Sequence, residues 1–313
     1  MTGPKMMMMR TLLVLASAVA LLVSGTVSAA ELTPQQVYAS AAPGVVLIIA
    51  HPEQGEGGSA GTGSIIRKDG LILTNAHVVV EEKTGKPYPR LFAYLRPDRV
   101  TGNPQTDLAR RMKASLVAFH RQLDLALLKL EEAPASLLTV ELGDPAQVQI
   151  GDRVAAIGHP EQGGLWTLTT GVISAEFDDF EGVKGKHAFQ TETSLNRGNS
   201  GGPLLDAAGH LIGVNTAIAR MAPDGLAITS ISFSLKSSVA RAWLREQGVP
   251  VDYAVRSAEP PASAPGGPSS APGVVVPAPT RPYNMESLLR NLREVEDDMR
   301  KLMEKGRERT SPH

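Results

Sequence analysis

Between residues 43 and 236 the apolar residues come in short runs rich in Val, Ile, Leu and Thr, closed off by Gly, Asp and Pro. Val45-Val46-Leu47-Ile48-Ile49, Leu71-Ile72-Leu73-Thr74, Val154-Ala155-Ala156-Ile157 and the run 168–173 are examples, and Lys68-Asp69-Gly70 has the chemistry of a hairpin turn. Many short β-branched runs at this spacing predict an all-β sandwich or barrel. Helical periodicity is confined to the edges, at 33–40 and at 237–247, the second closed by Gly248 and Pro250.

The two ends of the chain do not belong to this body. Residues 1–29 read as a secretory signal: Lys5 and Arg10 supply the positive charge, 12–23 the apolar stretch, and Val27-Ser28-Ala29 the small residues of a cleavage site. The alternative is an uncleaved membrane anchor over 11–30. Either places the body outside the cytoplasm, as a periplasmic or secreted protein. Residues 254–283 are crowded with Pro, Ala, Ser and Gly, a composition that buries no core and predicts a disordered, semi-rigid linker. A charged segment with helical spacing follows at 284–309, leaving 30–253 as the folded domain.

Composition removes several classes of function. A formal net charge of -1, from 31 basic and 32 acidic residues, argues against a nucleic-acid binder. Aromatic residues make up only 4%, too few for stacking platforms, and the absence of cysteine excludes disulfides, thiol nucleophiles and thiolate metal sites. His51, His120, His187, His210 and His313 show no pairing with acids at metal-ligand spacing, and Asp178-Asp179 with Glu181 reads as a solvated acidic loop. No metal or cofactor is expected.

Three stretches carry chemistry when taken together. Thr74-Asn75-Ala76-His77 puts a histidine at the end of a strand; Asp124 opens the apolar run 125–128; and Gly198-Asn199-Ser200-Gly201-Gly202 sets a serine among glycines. Singly these read as a structural histidine, a turn acid and a turn serine. Acyl transfer, however, requires a hydroxyl nucleophile, an imidazole to take its proton and a carboxylate to orient that imidazole. The order His77, Asp124, Ser200 is the order of chymotrypsin-type proteases. Glycines beside Ser200 let the Gly198 and Ser200 N–H groups converge on one oxygen, an oxyanion hole.

From Gly61 to about Val239 the sequence resembles the HtrA/Deg family of trypsin-like serine proteases. The resemblance is carried by Gly61-Thr62-Gly63-Ser64-Ile65-Ile66, Thr74-Asn75-Ala76-His77-Val78-Val79, Asp124-Leu125-Ala126-Leu127-Leu128-Lys129 and Ile157-Gly158-His159-Pro160. It continues through Thr170-Gly171-Val172-Ile173-Ser174, Gln190-Thr191-Glu192, Gly198-Asn199-Ser200-Gly201-Gly202-Pro203 and Ile212-Gly213-Val214-Asn215-Thr216-Ala217-Ile218. It implies two six-stranded antiparallel barrels, about 40–133 and 138–247, with His77 as general base, Asp124 as orienting acid and Ser200 as nucleophile. It also implies a primary pocket lined by Leu195 and Ile218, with Ser194 near its base and Ala219 beside it. The activity expected is endoproteolysis of unfolded or damaged proteins, in a homo-oligomer of trimeric type. The competing readings are a holdase for unfolded chains and a processing protease with a single partner.

The chain departs from the family pattern in four places. Arg197 stands where many members have Pro, which points to a resting oxyanion hole that is unformed. His159 stands where Asn is common and is read as loop structure rather than as a second base. Residues 81–107 read as a surface insertion, and the segment after 253 leaves no room for the PDZ domains the family usually appends. In that segment Met285, Leu288, Leu292, Val295, Met299 and Leu302 recur at spacings of 3 and 4, the seam of a coiled coil. A helix folded back on the protease is the alternative.

Overall fold

The computed structural model describes residues 31–53, 57–161, 163–218 and 231–255, together with 289, 290 and 292. The proposed signal, the linker and most of the tail segment lie outside the described residues.

Twelve strands form two closed antiparallel barrels. The first is built from β1 (Val45–His51), β2 (Ser59–Arg67), β3 (Leu71–Thr74), β4 (Arg90–Leu95), β5 (Arg111–His120) and β6 (Leu125–Leu130), in the order β1-β2-β3-β6-β5-β4. The second comprises β7 (Arg153–Gly158), β8 (Thr167–Phe177), β9 (Ala188–Thr191), β10 (Pro203–Leu205), β11 (Leu211–Ile218) and β12 (Ser232–Lys236). Read from β7, its order is β7-β8-β9-β12-β11-β10, so the two halves repeat one topology. Closure, by β1 on β4 and by β7 on β10, removes the exposed strand edges that an open sheet would leave.

The continuous apolar runs now have a physical cause. On β1, Val46, Ile48 and Ala50 point into the first barrel, while Val45, Leu47 and Ile49 join a cluster shared with the second. Strand β7 mirrors it: Val154 and Ala156 fill the second barrel, and Ala155 and Ile157 face the shared cluster. Both strands are apolar on two faces because barrel interior lies on one side and the partner barrel on the other.

The edge helices fall where the periodicity puts them. Helix α1 (Pro34–Ala41) starts with Thr33 and Gln36 in a reciprocal capping box and Pro34 in the first turn. Short helices α2 (Ala76–Val79) and α3 (Pro104–Asp107) follow β3 and β4, and α4 (Ser237–Glu246) follows β12. The expected insertion at 81–107 needs correction, because its centre is β4, paired with both β1 and β5. Its flanks are loop and the short helix α3, where fully buried Asp107 ties the chain down by accepting from the N–H groups of Thr101 and Gly102. In the tail, Leu289 is buried in the shared cluster and Leu292 packs against it.

Candidate active site

Strand register brings the first two residues together. Thr74 on β3 pairs with Ala126 on β6, so His77, on α2 just past one strand end, meets Asp124 just before the other. Asp124 adopts φ 56°, a left-handed conformation uncommon for a non-glycine residue. Its Oδ2 lies 2.8 Å from His77 Nδ1 and its Oδ1 accepts the His77 backbone N–H at 3.0 Å. The Thr216 hydroxyl of β11 donates to Oδ2 at 2.6 Å, and Asn75 Nδ2 donates to the Asp124 carbonyl at 2.8 Å. The carboxylate is largely buried while the imidazole is half exposed. Burial alone would push the Asp124 carboxyl up; the His77 ring, the Thr216 hydroxyl and the His77 N–H outweigh it and hold the carboxyl below the ordinary aspartate range. With Nδ1 engaged, Nε2 is the nitrogen left to serve an incoming proton.

Ser200 comes from the other barrel, in the turn that leads into β10. Its carbonyl accepts the Thr62 N–H at 2.8 Å, and Gly201 N–H donates to the Asn215 carbonyl at 2.8 Å. Gly201 has φ +82°, and a Cβ there would overlap the Thr74 hydroxyl and the Thr62 carbonyl. The serine turn is thus pressed against the strand end that leads to His77. No larger residue fits at 201.

Gly198 is clamped in the same turn, at φ +95°, where a Cβ would overlap the His159 carbonyl oxygen. The Arg197 carbonyl accepts the Glu161 N–H at 2.6 Å, and the Gly198 carbonyl accepts the Thr62 hydroxyl at 2.6 Å. Among the described residues, neither the Gly198 nor the Ser200 N–H donates to a protein acceptor. The Arg197–Gly198 peptide is thus held from its carbonyl side by Glu161. His159 is fully buried edge-on to Trp166, with ring centroids 4.7 Å apart.

Two of the residues expected at the primary pocket differ in exposure. Ser194 is exposed, whereas Leu195 belongs to the buried interior cluster of the second barrel. Ile218 ends β11, its backbone paired with Ser232, and Ala219 lies outside the described residues. Thr216 and Asn75 had no sequence signal for a role beside Asp124, since neither stands in a spacing relation to it.

Paired barrels, with a His–Asp couple on one and a glycine-bound serine on the other, define a trypsin-like peptidase domain. Residues 61–214 match the family described as a trypsin-like peptidase domain. Within that class the chain is similar to serine proteases of the HtrA/Deg family. The magnetosome formation protease MamE of Paramagnetospirillum magneticum is 39% identical over 191 residues, 60% of this chain and 23% of that protein. The periplasmic pH-dependent serine endoprotease DegQ of Escherichia coli is 32% identical over 230 residues, 73% of this chain and 45% of that protein. The solved structure of the HtrA-type protease AlgW with a tripeptide superposes with a TM-score of 0.55 at 30% identity, covering 68% of this chain and 63% of that one. The chain spans less than half the length of these curated relatives. No helix among the described residues is long and apolar enough to cross a membrane.

Proposed function

We propose that this protein is a periplasmic or secreted serine endopeptidase that cleaves unfolded or damaged proteins. His77 Nε2 takes the proton of the Ser200 hydroxyl as Oγ attacks the peptide carbonyl, and Asp124 holds the imidazole in its reactive tautomer and stabilises the imidazolium. The carbonyl oxygen becomes an oxyanion that accepts from the Gly198 and Ser200 N–H groups. The protonated imidazole then gives its proton to the leaving amine, and water, activated by the same base, releases the acyl group from Ser200. The observation that carries this reading is the pairing of His77 with Asp124, at 2.8 Å, on the strand end against which the Ser200 turn is packed.

Export by residues 1–29 and assembly into trimers belong to the same proposal. The periplasmic location printed in the names of several relatives supports the former. The test is incubation of a partly unfolded protein such as casein with the wild type and with Ser200→Ala. Cleavage by the wild type alone supports the proposal. Equal cleavage by both defeats the mechanism, and suppression of aggregation by both, without cleavage, favours a holdase.

A further inference from the structure

A glycine at an oxyanion hole carries a physical problem. Its missing Cβ permits the tight turn but also leaves the peptides on either side free to rotate. All described peptide bonds are trans, so each N–H points away from the carbonyl of its own peptide plane. Fixing the Arg197 carbonyl on the Glu161 N–H therefore fixes the direction of the Gly198 N–H. Fixing the Gly198 carbonyl likewise directs the Asn199 N–H, which donates to the Asn196 carbonyl at 3.0 Å. The first clamp is backbone to backbone. The second runs through a side chain, since the group on the Gly198 carbonyl is the Thr62 hydroxyl.

Thr62 is fully buried, and its oxygen lies 2.6 Å from the Gly198 carbonyl and 2.9 Å from His159 Nδ1. A hydroxyl has one proton to donate. Two oxygens 2.6 Å apart without a proton between them would set lone pair against lone pair, so the proton lies on the Gly198 side. Thr62 must then accept from His159, which makes His159 a neutral imidazole protonated on Nδ1. Its complete burial accords with this, because desolvation pushes the imidazolium down to about 3.

We infer that His159 and Thr62 are positioning residues for the oxyanion hole: a relay from the His159 Nδ1–H through the Thr62 hydroxyl to the Gly198 carbonyl holds the loop in its donor-presenting form. The segment 159–161 thereby grips the loop three times, through the His159 ring, through the His159 carbonyl packed on the Gly198 Cα, and through the Glu161 N–H. This inference rests on the proteolytic reading proposed above.

The test pairs variants that keep the relay with variants that break it. Thr62→Val is nearly isosteric and removes the hydroxyl, whereas Thr62→Ser keeps it. His159→Asn places an amide N–H near the position of Nδ1, whereas His159→Phe keeps the ring and loses the donor. Loss of an oxyanion donor costs roughly 100- to 1,000-fold in kcat, and a donor present but loosely held should cost about 10- to 100-fold. Thr62→Val and His159→Phe should thus lower kcat on a fluorogenic peptide by that amount with KM within about twofold, and Thr62→Ser and His159→Asn should recover most of it. Wild-type kcat in Thr62→Val, or a loss confined to KM, overturns the inference. Long-range nitrogen NMR of the full chain supplies a second readout, in which His159 must be the Nδ1-protonated tautomer; an Nε2-protonated ring overturns the relay. If the wild type cleaves nothing, or Ser200→Ala still cleaves, the proteolytic reading has failed, and the tautomer alone decides whether the relay exists.

Discussion

Asp124 holds His77 by both of its oxygens, one on the ring Nδ1 and the other on the backbone N–H. The bond to the main chain keeps the carboxylate at His77 whichever way the ring turns, and Thr216 secures it from the opposite barrel. Asp124→Asn preserves the shape while offering the ring an amide that favours the wrong tautomer. It should lower kcat by on the order of 10,000-fold, with little change in KM or in melting temperature. Steady-state kinetics and a thermal melt of the same preparation check this, and a variant with more than a tenth of wild-type kcat contradicts it.

Cleavage specificity follows from what surrounds the proposed pocket. None of Ser194, Leu195, Ile218 and Ala219 carries a negative charge, so a Lys or Arg side chain would enter without a partner, at a cost of several kcal/mol. Small to medium apolar residues such as Val, Ala or Leu should precede the scissile bond. A peptide-library profile dominated by Arg or Lys would place the pocket elsewhere.

Acid sensitivity has an identifiable source in His159. Its folded-state value is lowered to about 3 by burial, below the usual histidine value it regains on unfolding. Between those values the unfolded chain binds the proton and the folded one does not, so stability falls as the pH drops through this window. The slope of unfolding free energy against pH between about 6 and 4 should be shallower in His159→Asn, by up to about one proton. Denaturant titrations at several pH values measure it, and parallel wild-type and variant curves count against the assignment.

The tail contributes to stability from a distance in sequence. Leu289 is buried in the cluster shared by the two barrels, so Leu289→Ala should destabilise the domain by about 2 kcal/mol or more. Light scattering with and without residues 284–313 separates two roles. Lower thermal stability at unchanged mass marks an intramolecular brace, and a fall in mass marks the coiled coil that the spacing of Met285, Leu288 and Leu292 describes.

The parts of this fold legible in the sequence are those where one physical demand dominates. Strands β1 and β7 are buried on both faces and read as unbroken apolar runs. Strand β4 was hidden because Pro87, Pro89 and Pro97 flank it and give its neighbourhood the composition of a loop. The same contrast holds at the site. His77, Asp124 and Ser200 read singly as ordinary residues, and it is their order along one β-rich chain that carries the chemistry. Thr216 lies 92 residues from Asp124, and only barrel closure and docking bring the two together. The relay was invisible for the same reason, since Thr62 and Gly198 are 136 residues apart.

Trp166 offers something further. Its indole N–H donates to the Val45 carbonyl at the start of β1, its own carbonyl accepts the Tyr38 hydroxyl, and its ring lies edge-on to His159. One of only two tryptophans in the chain, it touches the first barrel, the N-terminal helix and the residue beside the oxyanion loop. The protein therefore carries its own optical probe: with Trp243 replaced by Phe, the emission of Trp166 becomes a label-free record of each rearrangement around that loop, readable in a stopped-flow mixer as substrate arrives.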